Sequence, residues 1–339
     1  MPSPTNPAKV ETPFTTAALG NGVDFWKAYV ENRPHPSDSF FELISEYHHS
    51  HGDSAAQSAI AHDVGTGPGN IAEKLLRHFD HVVGSDVNEQ ALAAAPALLP
   101  ADSIKRMTFV KSSAEDLASA NIPESVGKGQ TDLILVSECI PLLDISKAFA
   151  AFRALLRPGG TLAIYFYSRP IFTGDNEAEL NQLYDRIATR VCQFLLPFKG
   201  TPGFPIHYRA AEAMSSGLDS IPFDPEAWQD VVRYKWNADV PLTFNSKEGY
   251  DFEVEPVDRR DHSTEITKEI TDRDFWAEEW DIGRVASFLD SVFPNYRNKA
   301  GDKFEEVQSL FTELETALGG PKATRKVSFP VVLLLATRK

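Results

Sequence analysis

Asp63-Val64-Gly65-Thr66-Gly67-Pro68-Gly69 stands between a short apolar run, Ala59 to Val64, and a segment, Ile71 to Phe79, whose residues Ile71, Leu75 and Phe79 recur at helical spacing. A strand, a glycine loop and a helix in that order bring unpaired N–H groups of a helix N-terminus beside backbone that carries no side chains. A ligand can then approach the chain closely. The dinucleotide fingerprint spaces its glycines as G-x-G-x-x-G. Here the third glycine comes one residue early, at Gly69, and Asn70 follows. An acid closes the next strand: Asp86, within Gly84-Ser85-Asp86-Val87-Asn88, lies 21 residues past Gly65. A carboxylate there can take both hydroxyls of a ribose. The loop reads as a nucleoside site rather than a dinucleotide site.

The pattern continues on both sides. Upstream, Ser37 and Asp38 can cap a helix whose Phe40, Phe41, Ile44 and Tyr47 follow at helical spacing, and His48 to Gln57 reads as a polar loop. Downstream come a strand at His81–Ser85, a helix at Glu89–Leu99 and a strand at Met107–Lys111. Asp132–Ser137 is a further strand, apolar inside as buried parallel strands are. A helix at Ile145–Leu156 ends at Arg157-Pro158-Gly159-Gly160, and Thr161–Tyr167 is a fifth strand. Such alternation predicts a parallel sheet covered on both faces. Beyond residue 170 it dissolves. Residues 171–225 are rich in Pro, Gly and aromatics, with one helix near Glu177 to Phe194. Trp228–Trp236 reads as a strand, Phe275–Phe293 and Lys303–Leu318 as helical, and Val327–Thr337 as a last strand.

Composition narrows the function. Lys and Arg number 33 against 48 Asp and Glu, for a formal charge of −15. That balance disfavours nucleic-acid binding through broad phosphate neutralisation. Two cysteines, Cys139 and Cys192, build neither a disulfide framework nor a Cys-rich zinc module. The segment Met1 to Phe14 lacks a secretory pattern. Val331–Ala336, the most apolar run, is far short of the roughly 20 residues of a membrane span. No membrane partner and a cytoplasmic location are therefore expected. His48, His49 and His51 cluster in the expected polar loop without a fixed second shell, so no metal site is assigned.

These motifs together resemble the class I S-adenosylmethionine-dependent methyltransferases. Asp63 to Gly69 matches the family's acid followed by G-x-G-x-G in full, and Asp86 matches its ribose-binding acid. Ser113-Ala114-Glu115-Asp116-Leu117 resembles the stretch that frames the adenine, although Ser113 stands where many members carry an acid. Asp132 and Leu156-Arg157-Pro158-Gly159-Gly160-Thr161 also fit, and the resemblance spans roughly residues 58–167. A looser resemblance, carried by Tyr29-x-x-x-Arg33-Pro34 and Ile44-x-x-Tyr47-His48, is to the fungal branch related to trans-aconitate methyltransferases. Relatives there often carry His-Trp after the fourth strand; this chain reads Cys139-Ile140-Pro141-Leu142-Leu143-Asp144.

The resemblance implies an α/β, Rossmann-like sheet, mostly parallel with an antiparallel last strand, helices on both faces and an inserted substrate cap. It implies S-adenosylmethionine as cofactor, leaving as S-adenosylhomocysteine. The expected divisions are a disordered tail (1–20), an N-terminal helical lid (21–57), the cofactor-binding core (58–170), a substrate cap (171–225), and the remainder with cap helices and closing strand (226–339). Expected cofactor-binding residues are Tyr29, Arg33, Asp63, Gly65, Thr66, Gly67, Gly69, Asp86, Val87, Asn88, Ser113, Ala114, Glu115 and Ser137. Expected substrate-binding residues are Arg169, Tyr167, Cys139, Leu142, Tyr208, Arg209 and Trp276. Aromatics Phe166, Phe172, Trp228, Trp236 and Trp280 are further wall candidates.

Methyl transfer from a sulfonium is an in-line displacement that mainly needs alignment and exclusion of water. A carboxylate acceptor is already ionised at neutral pH and needs orienting positive charge rather than a base. A phenol or amine more often uses a base. With the carboxyl-methylating resemblance, the first expectation is a methyl ester formed on a small-molecule carboxylic acid. Arg33, Arg169 and His207 are the positioning candidates, and no residue is marked as a certain catalyst. A phenol, thiol or amine of secondary metabolism is the alternative acceptor. A cofactor-binding scaffold without methylation activity is the rival of a different class.

Overall fold

The computed structural model describes residues 22–51 and 59–339. The expected tail (1–20) and the stretch 52–57 of the expected polar loop fall outside the described residues. In chain order the elements are α1 (Val23–Glu31), α2 (Asp38–His51), β1 (Ile60–Val64), α3 (Asn70–Leu75), β2 (His81–Asp86), α4 (Glu89–Leu98), α5 (Ala101–Ile104) and β3 (Met107–Lys111). Then come β4 (Thr131–Ser137), α6 (Ile145–Leu155), β5 (Leu156–Tyr167), β6 (Ile171–Phe172), α7 (Glu177–Gln193), α8 (Phe204–Ser215), β7 (Trp228–Trp236) and β8 (Ile266–Ile270). The chain closes with β9 (Glu278–Trp280), α9 (Ile282–Val292), α10 (Tyr296–Ala300), α11 (Phe304–Leu318), β10 (Arg325–Ser328) and β11 (Val331–Arg338).

The main sheet runs β3-β2-β1-β4-β5-β11-β7-β8. Strands β1 to β5 pair in parallel, and β11 enters antiparallel beside β5. The mostly parallel sheet with an antiparallel closing strand is as expected. Successive residues of a strand face opposite ways, and the two faces fill separate cores. Leu133 and Leu135 join the core under α2, α7, α9 and α11, while Ile134 and Val136 join the core under α6.

Several elements depart from the sequence reading. Helix α2 does not stop at Tyr47 but carries His48, His49 and His51 in its last turns, where His48 is buried and bonds Thr161 Oγ1 at 2.9 Å. It also belongs to the core rather than to a lid: Phe40 meets Tyr165 and Trp276, and Tyr47 donates to the Asp230 carbonyl. The stretch holding His207 to Arg209 is helix α8, because Pro205 sits in a first turn that needs no N–H from it. Phe275–Phe293 is helical only from Ile282, and its start includes the short strand β9. The expected last strand is broken at Phe329-Pro330. Its first half, β10, pairs with β6 and β9 in a second, three-stranded sheet, and only β11 enters the main one. The charged segment Asp258–Asp274, which reads from sequence as a solvated face or loop, contains β8, which extends the sheet in parallel beside β7.

Candidate functional site

One cavity of about 720 Å³ opens at the carboxyl ends of β1, β2, β4 and β5. Open α/β sheets bind ligands at this end, where the loops leaving neighbouring strands diverge. The glycine loop forms its floor. Gly65, Gly67 and Gly69 all take positive φ, which glycine adopts without strain. A Cβ on Gly65 would lie 2.7 Å from the Cys139 Sγ, so loop and β4 exit are packed to contact there. A Cβ on Gly67 would meet nothing within 4 Å: the backbone of Gly67 faces open space in the cavity wall. Gly69 is turned away, with Leu99 and Phe109 behind it.

Asp86 lines the cavity while its two carboxylate oxygens accept from Gly67 N at 2.9 Å and Asn88 N at 2.7 Å. Burial raises its pKa, and those backbone N–H groups pull the other way. Asp63 lies behind the loop rather than in the cavity. It is fully buried, one oxygen accepts from Thr66 Oγ1 at 2.7 Å, and burial pushes its carboxyl up to about 7. Its role in the geometry is to hold Thr66 and the turn. Thr66, Val87, Asn88, Ala114 and Ser137 line the cavity, joined by Ser112. Ser113 and Glu115 do not. Ser113 Oγ pairs with Asp116, and Glu115 accepts the Asp144 N–H at 2.9 Å, fixing the loop after β4 from outside.

The opposite end of this half is built by α1 and the turn after it. Trp26, Tyr29, Arg33 and Pro34 line the cavity. Arg33 is buried; its guanidinium lies over the Tyr29 ring at 4.8 Å and donates to Tyr167 Oη at 3.2 Å and the Ser291 carbonyl at 3.0 Å. Its Nε has no partner among the described residues. Glu138 stands across from it, and the sequence reading missed it. Glu138 follows β4 directly, at φ +63, a conformation uncommon for a residue with a side chain. One carboxylate oxygen accepts the Tyr167 N–H at 2.8 Å, and burial pushes the carboxyl up to about 8. The sequence signal available was position alone: an acid at the exit of the central strand, one residue before Cys139.

The second half of the cavity is walled by Phe166, Leu195, Phe198, Met214, Phe244 and Phe293, with Tyr167, Cys139 and Leu142 at the junction. Cys139 faces the cavity as a thiol, and burial and nearby carboxylates hold its pKa well up. Helix α8 contributes His207, Ala210 and Met214, spaced so that they fall on one face. His207 packs on Phe198 with ring centroids 4.4 Å apart, and burial lowers its pKa while Asp251 partly offsets this. Asn245 and Tyr250, also missed from sequence, add polar groups to this wall, and Lys299 lies exposed at the rim.

Four expected substrate contacts are elsewhere. Arg169 is a structural residue: its guanidinium pairs with Asp185 at 2.7 Å and donates to the Thr243 carbonyl at 2.9 Å. Tyr208 and Arg209 point off the other faces of α8, and Arg209 donates to the Leu142 carbonyl at 3.4 Å, near Asp144. Trp276 is buried among Phe40, Tyr165, Tyr167 and Phe275. Of the further aromatics only Phe166 lines the cavity; Phe172, Trp228, Trp236 and Trp280 are core residues. The second half of the cavity is therefore not confined to residues 171–225: it is assembled from Cys192–Met214, Phe244–Tyr250 and Val292–Lys299.

Residues 61–160, the span that carries this cofactor half, match the family model described as a methyltransferase domain. Across 325 aligned residues the chain is 37% identical to Methyltransferase pgmE of Aspergillus terreus, covering 93% of both chains. The chain belongs to the class I S-adenosylmethionine-dependent methyltransferases. This methyltransferase is also 34% identical over 318 residues to Methyltransferase cfoB of Aspergillus candidus, covering 93% of this chain and 95% of that one. Its fold is shared with a solved structure from Anaeromyxobacter dehalogenans named "a Putative Type II Methyltransferase", at TM-score 0.55 and 18% identity over 89% of this chain and 97% of that one. S-Adenosylmethionine is the cofactor, and the residues present fit it: an acid at the end of β2 for a ribose, side-chain-free backbone at Gly67, and the buried Arg33 cation at the far end. Among the described residues no helix is long and apolar enough to cross a membrane.

Proposed function

We propose that this methyltransferase moves a methyl group to the hydroxyl oxygen of a small, largely aromatic molecule of secondary metabolism. One observation carries the reading. The acceptor half of the cavity is an apolar, aromatic wall whose polar groups are neutral or hydrogen-bonding, namely His207, Asn245 and Tyr250. A flat apolar molecule gains from burial against such a wall, and a few placed polar groups fix its orientation. The carboxylic acid reading has lost one of its arginines, because Arg169 is committed to Asp185 and Thr243. It keeps a specific observation in Arg33 and the rim residue Lys299, both lining the cavity, and stands as the second reading.

When bound, S-adenosylmethionine supplies an electrophilic methyl group on a positively charged sulfur. Asp86 would hold the ribose hydroxyls, the backbone of Gly65 to Gly67 would pass beneath the cofactor, and Ala114 and Leu142 would flank the adenine with Val87 and Asn88 beside it. Arg33 and Tyr29 would hold the amino-acid end, with Ser137 below. The aromatic wall excludes water and holds the acceptor oxygen in line, which for a displacement is most of what an enzyme must do.

The two readings separate with matched probes, 1-naphthol and 1-naphthoic acid, each incubated with S-adenosylmethionine and the protein. Product mass and saponification distinguish an ether from an ester. A base-stable methyl ether from 1-naphthol supports the hydroxyl reading. A saponifiable ester from the acid, with no ether, overturns it in favour of the carboxylate.

A further inference from the structure

Glu138 is a half-buried titratable group that the placement of cofactor and acceptor leaves without a task. It lines the cavity at the junction of the two halves, between Ser137 at the end of β4 and Cys139 against the glycine loop. Its backbone is held at φ +63. Such conformations in residues with side chains persist where surrounding structure over-determines them, and they gather at functional sites. One carboxylate oxygen is tied to the Tyr167 N–H at 2.8 Å, while the other has no hydrogen-bond partner among the described residues. Arg33 faces Glu138 without forming an ion pair with it, donating instead to Tyr167 Oη and the Ser291 carbonyl. A carboxyl oriented through one oxygen, with the other unbonded, has the arrangement of a positioned proton acceptor.

We propose that Glu138 takes the proton from the acceptor's hydroxyl during methyl transfer; this rests on the hydroxyl reading above. The bookkeeping of atoms is simple. The acceptor oxygen–carbon bond forms as the carbon–sulfur bond breaks, the electron pair of that bond goes to sulfur, and the hydroxyl proton goes to the unbonded Glu138 oxygen. Glu138 returns it to water when the product leaves. Burial pushes the carboxyl up to about 8, with Arg33 and the Tyr167 N–H pulling it down. Tyr29 from α1, Cys139, and Tyr165 and Tyr167 from β5 also face it. A base with a pKa near the working pH accepts a proton far better than an ordinary carboxylate does. His207 is the rival on the same cavity. Its ring rests on Phe198, and no side-chain hydrogen bond among the described residues fixes its orientation.

The test compares wild type, Glu138→Gln and His207→Gln. Binding of S-adenosylhomocysteine is measured by calorimetry, turnover of 1-naphthol at saturating cofactor across pH, and the phenolate absorbance of 4-nitrophenol added to protein loaded with S-adenosylhomocysteine. Glu138→Gln should bind S-adenosylhomocysteine within about threefold of wild type and lose on the order of 100-fold in kcat. Its residual rate should not rise with pH as that of wild type does, and it should lose the bound-phenolate band that wild type shows. His207→Gln should weaken acceptor binding but, at saturating probe, keep the band and the rise of rate with pH. Wild-type kcat and pH dependence in Glu138→Gln would overturn the proposal. So would a large loss of S-adenosylhomocysteine affinity with kcat retained, which would make Glu138 a clamp on the cofactor's ammonium group. Wild type that esterifies 1-naphthoic acid and leaves 1-naphthol untouched would instead overturn the hydroxyl reading itself, since an ionised acid needs no base.

Discussion

Asp86 holds the glycine loop through Gly67 N and the start of α4 through Asn88 N, and it still faces the cavity. Replacing it with Ala removes those two and, on the proposed placement of the cofactor, the hydrogen bonds to its ribose as well. Affinity for S-adenosylhomocysteine should fall by about 2–4 kcal/mol, roughly 30- to 700-fold in Kd. Calorimetry checks it, and unchanged affinity would end the ribose assignment. Glu138 permits a prediction about stability that needs no acceptor. Its folded pKa of about 8 lies above the ordinary Glu value of 4.5. Between those values the folded chain keeps a proton that the unfolded chain has released, so this group's contribution to stability is lost as pH rises toward 8. Glu138→Gln carries no such penalty. Its Tm without cofactor should exceed that of wild type by a margin that grows between about pH 5 and pH 8. A margin that shrinks with rising pH would show the carboxyl to be stabilised as an anion. Asp63, raised to about 7 in the same way, adds to the alkaline loss in both proteins. Buried His48 and His62, lowered to about 4 and about 3, make both proteins lose stability as pH falls below the usual histidine value.

Helix α8 shows at the scale of one element why part of the site was legible in the sequence and part was not. The cofactor half follows from spacing along β1, β2 and β4, because each strand delivers its residues to one edge in chain order. Gly65 to Gly67, Asp86 and Ala114, which line the cavity, could therefore be put at this edge from sequence. The other half of the cavity is assembled from segments nearly 80 residues apart, Cys192–Met214 and Val292–Lys299. No local pattern says that they meet. Within α8 the error was one of period: read as a loop, His207, Tyr208 and Arg209 were equivalent, whereas a helix turns His207 inward and its neighbours outward. Arg169 failed for a different reason. Its position after β5 was right for a ligand, and the Asp185 carboxylate on α7 already occupies its guanidinium. The α8 geometry makes a direct prediction. Ala210→Phe, on the inward face, should lower kcat/KM for the accepted probe by about tenfold or more through crowding of the cavity. Arg209→Ala, on the outward face, should leave it within about twofold. Steady-state kinetics at saturating cofactor checks both, and equal effects would remove α8 from the acceptor wall.

Across the whole molecule the sheet extends past β11 through β7 and β8, and this edge was hidden in a stretch that reads as a solvated charge run. The edge is organised by Arg233. Its side chain is 0% exposed and pairs with Glu265 at 2.5 Å, itself 2% exposed, while donating to the Leu218 and Ile221 carbonyls at 3.1 and 2.8 Å. Lys235 and Arg260 converge on Asp219 beside it, at 2.6 and 3.5 Å. These contacts tie β7 and β8 to the turn that follows α8, and so tie the far edge of the sheet to the helix that walls the cavity. Charge sequences of this kind look solvated because each residue alone would be, and only the pairing across 32 positions of sequence buries them. Removing Glu265 takes away the close partner of the buried Arg233 and leaves it only the longer Asp219 contact at 3.9 Å, a loss of up to about 3–5 kcal/mol. Glu265→Gln should therefore lower Tm by roughly 5–10 °C. Because Asp86 and the glycine loop lie at the other side of the sheet, its affinity for S-adenosylhomocysteine at a temperature where it is folded should match wild type. Thermal melts with and without that ligand, alongside calorimetry, check both halves of the expectation. A Glu265→Gln protein with wild-type Tm would show the pair to be replaceable by water. One with lost affinity would show that the far edge of the sheet shapes the cofactor end of the cavity.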